Sequence, residues 1–274
     1  TVRLNPEQVR AYAERGFIGP FDGLNSKEVA YFRDELEAFE KREGRQLSSM
    51  SNQVRAKTHL LFPWMQDLIR LPVVLDTVES LIGPNILVYH LTCWIKEPGD
   101  QAYVSWHQDG TYFFLEPAEH VTAWIALSDD RQTTGPMKFV PESHRGPMWD
   151  HTDTFEDQNL LSRGQAIEQD ISDDDTVLAP LKVGEMSLHH VRLIHGSDPN
   201  LTHDRRIGMV LRYCATRVKQ TKLRDTAVLV HGLDAFGHFD LLPAPEIDAG
   251  DAERQRQKDA LQRMQRALHS KDYE

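Results

Sequence analysis

"ILVYHLTCWIKE", residues 86–97, decides the fold because the pattern of the chain changes there. Short segments rich in β-branched and aromatic residues follow one another to about residue 230, separated by Pro, Gly, Asn and Asp. "VTAWIALSD", residues 121–129, and "RIGMVLRYCATRV", residues 206–218, are two of them. Many short strands at close spacing are typical of an antiparallel sandwich or barrel. The sequence therefore predicts a β core over about residues 86–230.

The segments on either side of this core have the patterns of helices. Asn5 is followed by proline, and the run that it begins ends at Gly16, as expected for an N-cap and a C-cap. A second run begins at Ser26 with apolar residues at helical spacing, and "LPVVLDTVESLIG" predicts a third helix. We expect N-terminal helices over about residues 5–83 and one charged amphipathic helix over about residues 251–270.

Length and charge narrow the classes of protein that the chain can represent. At 274 residues it can build one substantial core, and we expect a single domain over residues 1–274. The net charge of −11 argues against a nucleic-acid surface, which would carry clustered Lys and Arg. It also disfavours an anionic membrane, and the apolar runs are shorter than the ~20 residues of a spanning helix. We therefore expect the partner to be a small molecule. The oligomeric state stays open.

The two cysteines predict a reducing compartment. Cys93 and Cys214 each lie in an apolar, strand-like run, so we expect buried thiols and no disulfide framework. This pattern favours the cytoplasm.

Three His-x-Asp pairs are candidates for a metal site, and their number alone carries no information. With 13 His and 42 Asp or Glu among 274 residues, a His followed two residues later by a carboxylate is expected about twice by chance. One pair, His151 with Asp153, lies in the polar stretch 146–175, which predicts a solvated loop or lid. Another, His238 with Asp240, follows the last strand-like segment.

The third pair, in "WHQDGTYFF" (residues 106–114), has surroundings that suit a site. His107 and Asp109 follow a strand-like segment and an exposed loop, and the aromatic residues beside them can shield a site from water. In a strand, residues i and i+2 point to the same face, so both side chains can reach one ion. For some of these aromatic residues, packing in the core is the alternative to shielding a site.

His195 is the candidate for a third ligand. It follows a β-rich run, precedes the turn "GSDPN" and lies about ninety residues after His107, which suits a neighbouring strand. Two imidazoles and one carboxylate on one face of an octahedron leave three positions for small molecules, as in non-haem Fe(II) oxygenation. The alternative for His195 is a surface histidine in a turn.

The strand-like run after His195 predicts buried arginines. Arg206, Gly208 and Arg212 share one face of an extended strand, and the opposite face is apolar. A buried guanidinium needs an anionic partner, so an inward Arg206 implies a carboxylate or phosphate beside it. Gly208 leaves room for a group to approach the strand. For Arg212, a structural ion pair with an aspartate is an equal alternative.

Four motifs, in this order, resemble the phytanoyl-CoA dioxygenase family of Fe(II)- and 2-oxoglutarate-dependent oxygenases. They are "WHQDGTYF", "AWIALSD", "GPMKFVPESHRG" and "HGSDPNLTHDRR". The likeness runs from the N-terminal "LNPEQVRAYAERGFI" to about residue 216. One departure is Glu142, where the family often has glycine in a turn. The resemblance implies a mainly β fold with flanking helices, that is, a double-stranded β-helix (jelly-roll or cupin-like) with the N-terminal helices packed on its major sheet.

By position, the resemblance implies a set of site residues. The family's iron ligands fall on His107, Asp109 and His195. The arginine that binds the distal carboxylate of 2-oxoglutarate falls on Arg206. Further cofactor contacts in the family fall on Ser197 and Trp124. The implied cofactors are Fe(II), 2-oxoglutarate as co-substrate, and O2.

The implied reaction is the oxidation of a C–H bond in a small molecule, coupled to decarboxylation of 2-oxoglutarate to succinate and CO2. Asp109 retains the carboxylate that related halogenases lack, which favours hydroxylation over halogenation. Two alternatives remain: a cupin-type metal enzyme that does not use 2-oxoglutarate, and a non-catalytic jelly-roll binding domain.

The substrate stays open among amino acids, phosphonates, acyl thioesters and secondary metabolites. The candidates for contacts with substrate or co-substrate are Lys57, His59, Arg205 and Arg212.

Overall fold

The computed structural model describes residues 3–129, 132–161 and 164–269. Its α-helices are α1 (Pro6–Arg15), α2 (Ser26–Glu43), α3 (Asn52–Arg55), α4 (Pro63–Leu68), α5 (Pro72–Ile82), α6 (Gly110–Phe113) and α7 (Asp251–His269). Its strands are β1 (Phe17–Asp22), β2 (Ile86–Lys96), β3 (Val104–His107), β4 (Leu115–Glu116), β5 (His120–Ala126), β6 (Met137–Phe139), β7 (His151–Asp153), β8 (Gln165–Ile167), β9 (Val177–Ala179), β10 (Glu185–His190), β11 (His195–Ser197), β12 (Arg206–Ala215), β13 (Lys219–Gln220), β14 (Thr226–His231) and β15 (Asp240–Leu241). In this part of the chain, no helix is long and apolar enough to cross a membrane.

The predicted helix boundaries are confirmed where capping residues mark them. The Asn5 side chain accepts a hydrogen bond from the backbone N–H of Gln8, and α1 ends at Gly16 in the left-handed conformation. Helix α2 begins at Ser26 and ends before Gly44, which is also left-handed. A side-chain oxygen satisfies an N–H that has no partner within the helix, and glycine adopts positive φ without a steric penalty.

Two facing sheets form the β core. The major sheet has the strand order β1-β10-β5-β12-β2-β14-β15, and the minor sheet has the order β3-β11-β6-β9. A small apolar cluster fills the space between them, with Trp124 and Val210 from the major sheet and Phe139 from the minor sheet. Among the described residues the strands do not close into one hydrogen-bonded barrel. The predicted jelly-roll fold is confirmed.

Strand β12 shows why the N-terminal helices cover the major sheet. Its residues Ile207, Met209 and Leu211 join the same buried cluster as Phe32 and Leu36 of α2. Burying these apolar side chains against the helix drives the packing of the two layers. The other face of β12 points into the space between the sheets, where its arginines lie, as the alternation in the sequence predicts.

Two segments differ from the expectation. Residues 17–22, inside the predicted helical region, form the edge strand β1, which pairs with β10. The left-handed Gly16 ends α1, and Phe17 then packs into the cluster between the sheets. The polar stretch 146–175 contains a short antiparallel pair, β7 with β8, in which His151 faces Ile167. Three-residue strands are too short to show a periodic pattern in sequence.

The expectation of buried thiols is confirmed. Cys93 and Cys214 are free and buried, and they lie on the paired strands β2 and β12. Burial raises the pKa of the Cys93 thiol to about 12.

Candidate active site

Three buried side chains converge at the end of the minor sheet. His107 ends β3 and His195 begins β11, and the two residues are direct partners across this antiparallel pair. The distance from His107 Nε2 to Asp109 Oδ1 is 3.5 Å, and that from His195 Nε2 to the same oxygen is 3.9 Å. One ligand atom from each residue lies within 4.8 Å of the other two. The structure therefore brings together the three residues that the sequence singles out.

Backbone carbonyl groups orient both imidazoles of the triad. His107 Nδ1 lies 2.9 Å from the carbonyl oxygen of Ser105, and His195 Nδ1 lies 2.8 Å from that of Leu193. A carbonyl oxygen only accepts, so each Nδ1 carries the proton and each Nε2 keeps its lone pair toward the centre of the triad. Burial holds the pKa of His195 well below its ordinary value, so this imidazole is neutral and able to bind a metal.

Asp109 reaches the triad by a different route from the one expected. Strand β3 ends at His107, and Asp109 has helical dihedral angles as the residue that precedes α6. The i, i+2 alternation of a strand therefore does not place its carboxylate. The turn into α6 brings it back beside the imidazoles, with the backbone N–H of Tyr112 bonded to the carbonyl of Asp109.

Arg212 is the charged partner of Asp109. Its Nε donates to Asp109 Oδ2 at 3.1 Å, and its Nη2 donates to Oδ1 at 3.3 Å. Burial alone would raise the pKa of this carboxyl group, but the Arg212 guanidinium beside it holds the pKa well below its ordinary value. The structural alternative for Arg212, an ion pair with an aspartate, is confirmed, and the aspartate is a member of the triad.

The other two His-x-Asp pairs lie apart from the triad. His151 Nε2 accepts a hydrogen bond from the backbone N–H of Gln108 at 3.1 Å, and His151 Nδ1 lies 2.8 Å from the Trp149 carbonyl. His151 is thus partly buried and supports the backbone at Gln108, between His107 and Asp109. The expectation that His151 is solvated was wrong. His238 is half-buried, and Asp240 pairs with arginines on the surface.

A cavity beside the triad contains the predicted co-substrate residues. It is lined in part by Trp124, Ser197, Arg206 and the two imidazoles of the triad. Arg206 is 2% exposed, and its guanidinium carbon lies 4.7 Å from the centre of the Trp124 ring. Ser197 accepts a hydrogen bond from the buried Lys96 at 2.7 Å. The structure therefore brings the predicted residues to one place, next to the triad.

Gly208 makes room for a side chain of the protein itself. A Cβ atom at this position would lie 2.1 Å from Cζ2 of Trp124, far inside van der Waals contact. Only glycine fits at this position, because the Trp124 indole lies against the strand here and stacks on the Arg206 guanidinium. The sequence predicts that Gly208 leaves room for a group to approach the strand, and the Trp124 ring fills that room.

His189 is a site residue that the sequence reasoning missed. Its ring lies 4.8 Å from that of His195, and it lines the same cavity. Neither ring nitrogen of His189, nor Nε1 of Trp124, has a hydrogen-bond partner among the described residues. Burial lowers the pKa of His189 to about 3, so the ring is neutral. Met186 and Leu188 belong to the core under the helices, and this alternation along β10 is the signal that places His189 on the inner face.

Three of the four remaining candidates lie outside the cavities next to the triad. Lys57 Nζ lies 3.5 Å from Asp225, and Arg205 pairs with Glu40 and Glu97 on the outer side of the sheet. His59 is buried in the helical layer, where its carbonyl accepts a bond from a glutamine. Of this group, Arg212 alone lines the cavity that contains Arg206, as far as the described residues show. Arg212 and Asp109 also line a second cavity, which extends toward α7.

Comparison with known proteins agrees with this geometry. A sequence model of the phytanoyl-CoA dioxygenase family matches residues 12–208, a span that includes the triad and Arg206. The chain belongs to the phytanoyl-CoA dioxygenase family. The chain resembles a probable alpha-ketoglutarate-dependent hypophosphite dioxygenase of Stutzerimonas stutzeri, at 28% identity over 76% of this chain and 78% of that protein.

Solved structures show the same fold. An apo non-heme monooxygenase, ThoJ, superposes with a TM-score of 0.83 at 27% identity, covering 95% of this chain and 97% of that chain. The non-heme alpha ketoglutarate dependent carbocyclase SnoK, from nogalamycin biosynthesis, gives a TM-score of 0.63 at 25% identity, over 79% of this chain and 86% of that chain. The sheets and flanking helices of this phytanoyl-CoA dioxygenase family member are thus those of non-haem oxygenases.

Proposed function

We propose that the protein is an Fe(II)- and 2-oxoglutarate-dependent dioxygenase that hydroxylates a C–H bond of a small molecule. The observation that supports it is the convergence of His107, Asp109 and His195 beside a cavity that contains Arg206. The described chain would act as one oxygenase domain, and its buried free thiols fit a reducing cytoplasm.

The donor atoms of the triad, and their orientation in the metal-free protein, fit an iron ion. Two neutral imidazole nitrogens and one carboxylate are the donor set of non-haem Fe(II) oxygenases, and they occupy one face of the metal. His107 and His195 already direct Nε2 toward a common point, because their Nδ1 atoms donate to backbone carbonyls. Asp109 is ionised and held by Arg212. These three residues would bind the metal with little rearrangement.

The neighbouring cavity fits 2-oxoglutarate. Arg206 would bind the distal carboxylate through its planar guanidinium, with Ser197 as a further hydrogen-bonding group. Nε1 of Trp124 and the ring of His189 are buried polar atoms whose hydrogen-bonding capacity is unused by the described residues. A bound polar molecule would satisfy them, which removes the cost of burying them alone.

The protein's own residues set the conditions for the chemistry. When bound, iron and 2-oxoglutarate would supply oxidising power that consumes O2 and releases succinate and CO2. Tyr112 and Phe113 of α6, both buried, would keep bulk water from the triad. Asp109 occupies the position that a halide would need, so hydroxylation is the expected outcome.

The experiment that tests this function is an anaerobic titration of the protein with Fe(II) and 2-oxoglutarate, followed by visible absorption. Chelation of Fe(II) by 2-oxoglutarate in the site should produce a metal-to-ligand charge-transfer band that requires both additions. Oxygen should then bleach the band and give succinate. Stoichiometric iron binding without the band would point to the cupin-type enzyme, and absence of iron binding to a jelly-roll binding domain.

A further inference from the structure

His189, on the inner face of β10, is a buried imidazole whose two nitrogens have no hydrogen-bond partner among the described residues. Its side chain is 1% exposed and lines the cavity that contains Arg206. An imidazole carries at least one N–H in either tautomer, and burying that donor without a partner costs free energy. We therefore expect a partner that the protein itself does not supply.

The strand register places His189 at the end of this cavity that is next to the triad. His189 pairs with Thr122 of β5, and Thr122 pairs in turn with Arg212 of β12. Both Thr122 and Arg212 donate hydrogen bonds to the carboxylate of Asp109. From the facing sheet, the ring of His195 lies 4.8 Å from that of His189. His189 therefore belongs to the row of side chains that surrounds the triad.

The opposite end of the cavity lies one row farther along the sheet. Trp124 comes two residues after Thr122 on β5, which corresponds to about 7 Å along an extended strand. Arg206, the proposed partner of the distal carboxylate, stacks on the Trp124 ring. The cavity thus has a cationic end at Arg206 and a second end at His189, beside the triad. A 2-oxoglutarate molecule held at Arg206 by one carboxylate would direct its 2-oxo acid group toward His189.

From this arrangement we propose that His189 donates a hydrogen bond to the 2-oxo acid end of 2-oxoglutarate and positions that end at the metal. The acceptor at this end is an anionic carboxylate with its adjacent keto oxygen, and a hydrogen bond to a charged acceptor is stronger than one between neutral groups. The inference rests on the proposed function, since it concerns the co-substrate of that oxygenase. It gives a role to a residue that is not among those implied by the resemblance to the family.

The first test measures co-substrate affinity on Fe(II)-loaded protein without oxygen, by titration of the charge-transfer band. His189→Leu removes both nitrogens with little change in volume. It should raise the Kd for 2-oxoglutarate at least about fivefold, with iron still bound. His189→Asn places an N–H near the position of Nδ1, and His189→Gln places one near that of Nε2, so at least one of them should recover most of the affinity. His59→Leu, at a buried histidine of the helical layer, should bind 2-oxoglutarate as the wild type does.

A second ligand identifies the end of the co-substrate that His189 contacts. 2-Oxopentanoate has the same 2-oxo acid group and a methyl group in place of the distal carboxylate. His189→Leu should weaken the binding of 2-oxopentanoate and of 2-oxoglutarate by about the same factor, whereas Arg206→Gln should weaken 2-oxoglutarate alone. An unchanged affinity of His189→Leu for 2-oxopentanoate would overturn the inference, because His189 would then act on the distal carboxylate.

Stability separates this role from a structural one. Without metal and co-substrate, His189→Leu should unfold at the same urea concentration as the wild type or at a higher one, because leucine leaves no buried polar atom without a partner. A lower urea midpoint would show that His189 supports the fold, and it would overturn the inference, as would an unchanged Kd for 2-oxoglutarate. A normal wild-type band with any of these results refutes the role of His189 alone, whereas a missing wild-type band refutes the oxygenase itself.

Discussion

Arg212 holds Asp109 with two hydrogen bonds, from Nε to Oδ2 at 3.1 Å and from Nη2 to Oδ1 at 3.3 Å. Both residues are buried, and they come from different elements: the turn before α6 and the middle of β12. The guanidinium therefore fixes the rotamer of the carboxylate and keeps it ionised before any metal arrives. A ligand oriented in advance loses less freedom on binding.

Arg212→Gln should weaken iron binding by about 10- to 100-fold, because the carboxylate loses its orienting partner and its compensating charge. Titration of the variant with Fe(II), followed by the charge-transfer band, measures the affinity. Arg205→Gln is the matched control, since Arg205 lies one position before β12 and pairs with glutamates away from the site. Equal iron affinity in Arg212→Gln and the wild type would show that Asp109 is placed by the turn alone.

Asp109→Ala and His195→Ala should each leave the protein with less than one iron per chain after gel filtration, because two remaining protein ligands hold Fe(II) less tightly than three. His238→Ala should bind one iron per chain as the wild type does. His151→Ala should also keep one iron, with weaker affinity, because His151 supports the Gln108 backbone between the first two ligands. Metal analysis after gel filtration gives the counts. Loss of the iron in His238→Ala would mean that the triad has been assigned wrongly.

How much of this site the sequence predicts depends on how local each contact is. The inward face of β12 follows from strand alternation and is predicted correctly. His195 lies on the strand next to that of His107, as the separation of the two residues in sequence suggests. The Arg212–Asp109 pair was not, because an ion pair between distant segments leaves no periodic trace. Sequence alone offered several aspartates as partners, and the fold selects the one in the triad.

In the fold, too, the sequence predicts local features better than features that depend on contacts between distant segments. Long helices with capping residues, such as α1 and α2, were predicted to within a residue or two. The short strands β1, β7 and β8 were missed, since runs of three to six residues rarely establish a period. Met264 and Leu268 of α7 line the cavity that Asp109 and Arg212 also line, and the sequence does not predict this, because any packed helix has a similar stripe of apolar residues.

Arg206→Gln should raise the 2-oxoglutarate concentration that gives half of the charge-transfer band by at least about tenfold, with iron still bound. The loss of a bidentate ion pair to the distal carboxylate is the physical reason. Iron stoichiometry and the 2-oxoglutarate titration are measured on the same sample. An unchanged requirement would transfer the role of co-substrate anchor to Arg212, the other buried arginine on this face.

Gly208→Ala tests the stacking of Trp124 on Arg206. The new methyl group would overlap the indole, so the ring must move out of its place over the guanidinium. We expect a loss of about 1–3 kcal/mol in the free energy of unfolding and a higher 2-oxoglutarate requirement. Denaturant unfolding and the band titration measure the two effects. If the 2-oxoglutarate requirement stays that of the wild type, the position of the indole has no bearing on co-substrate binding.

Buried neutral histidines should make the protein sensitive to mild acid. Burial, with help from Lys57 and Arg70, lowers the pKa of His59 from about 6.5 to about 3. Between these values the unfolded chain takes up a proton that the folded chain refuses, so the free energy of unfolding falls as the pH falls through this window. His59 is 1% exposed, so solvent does little to screen the effect.

His59→Phe should therefore reduce the pH dependence of stability, whatever it does to stability at neutral pH. Between about pH 6 and about pH 4, its free energy of unfolding should decrease by on the order of 2 kcal/mol less than that of the wild type. Urea unfolding at several pH values gives both slopes, and His203→Gln, at an exposed histidine, should keep the wild-type slope. Parallel curves for His59→Phe and the wild type would mean that this imidazole takes up its proton inside the folded protein.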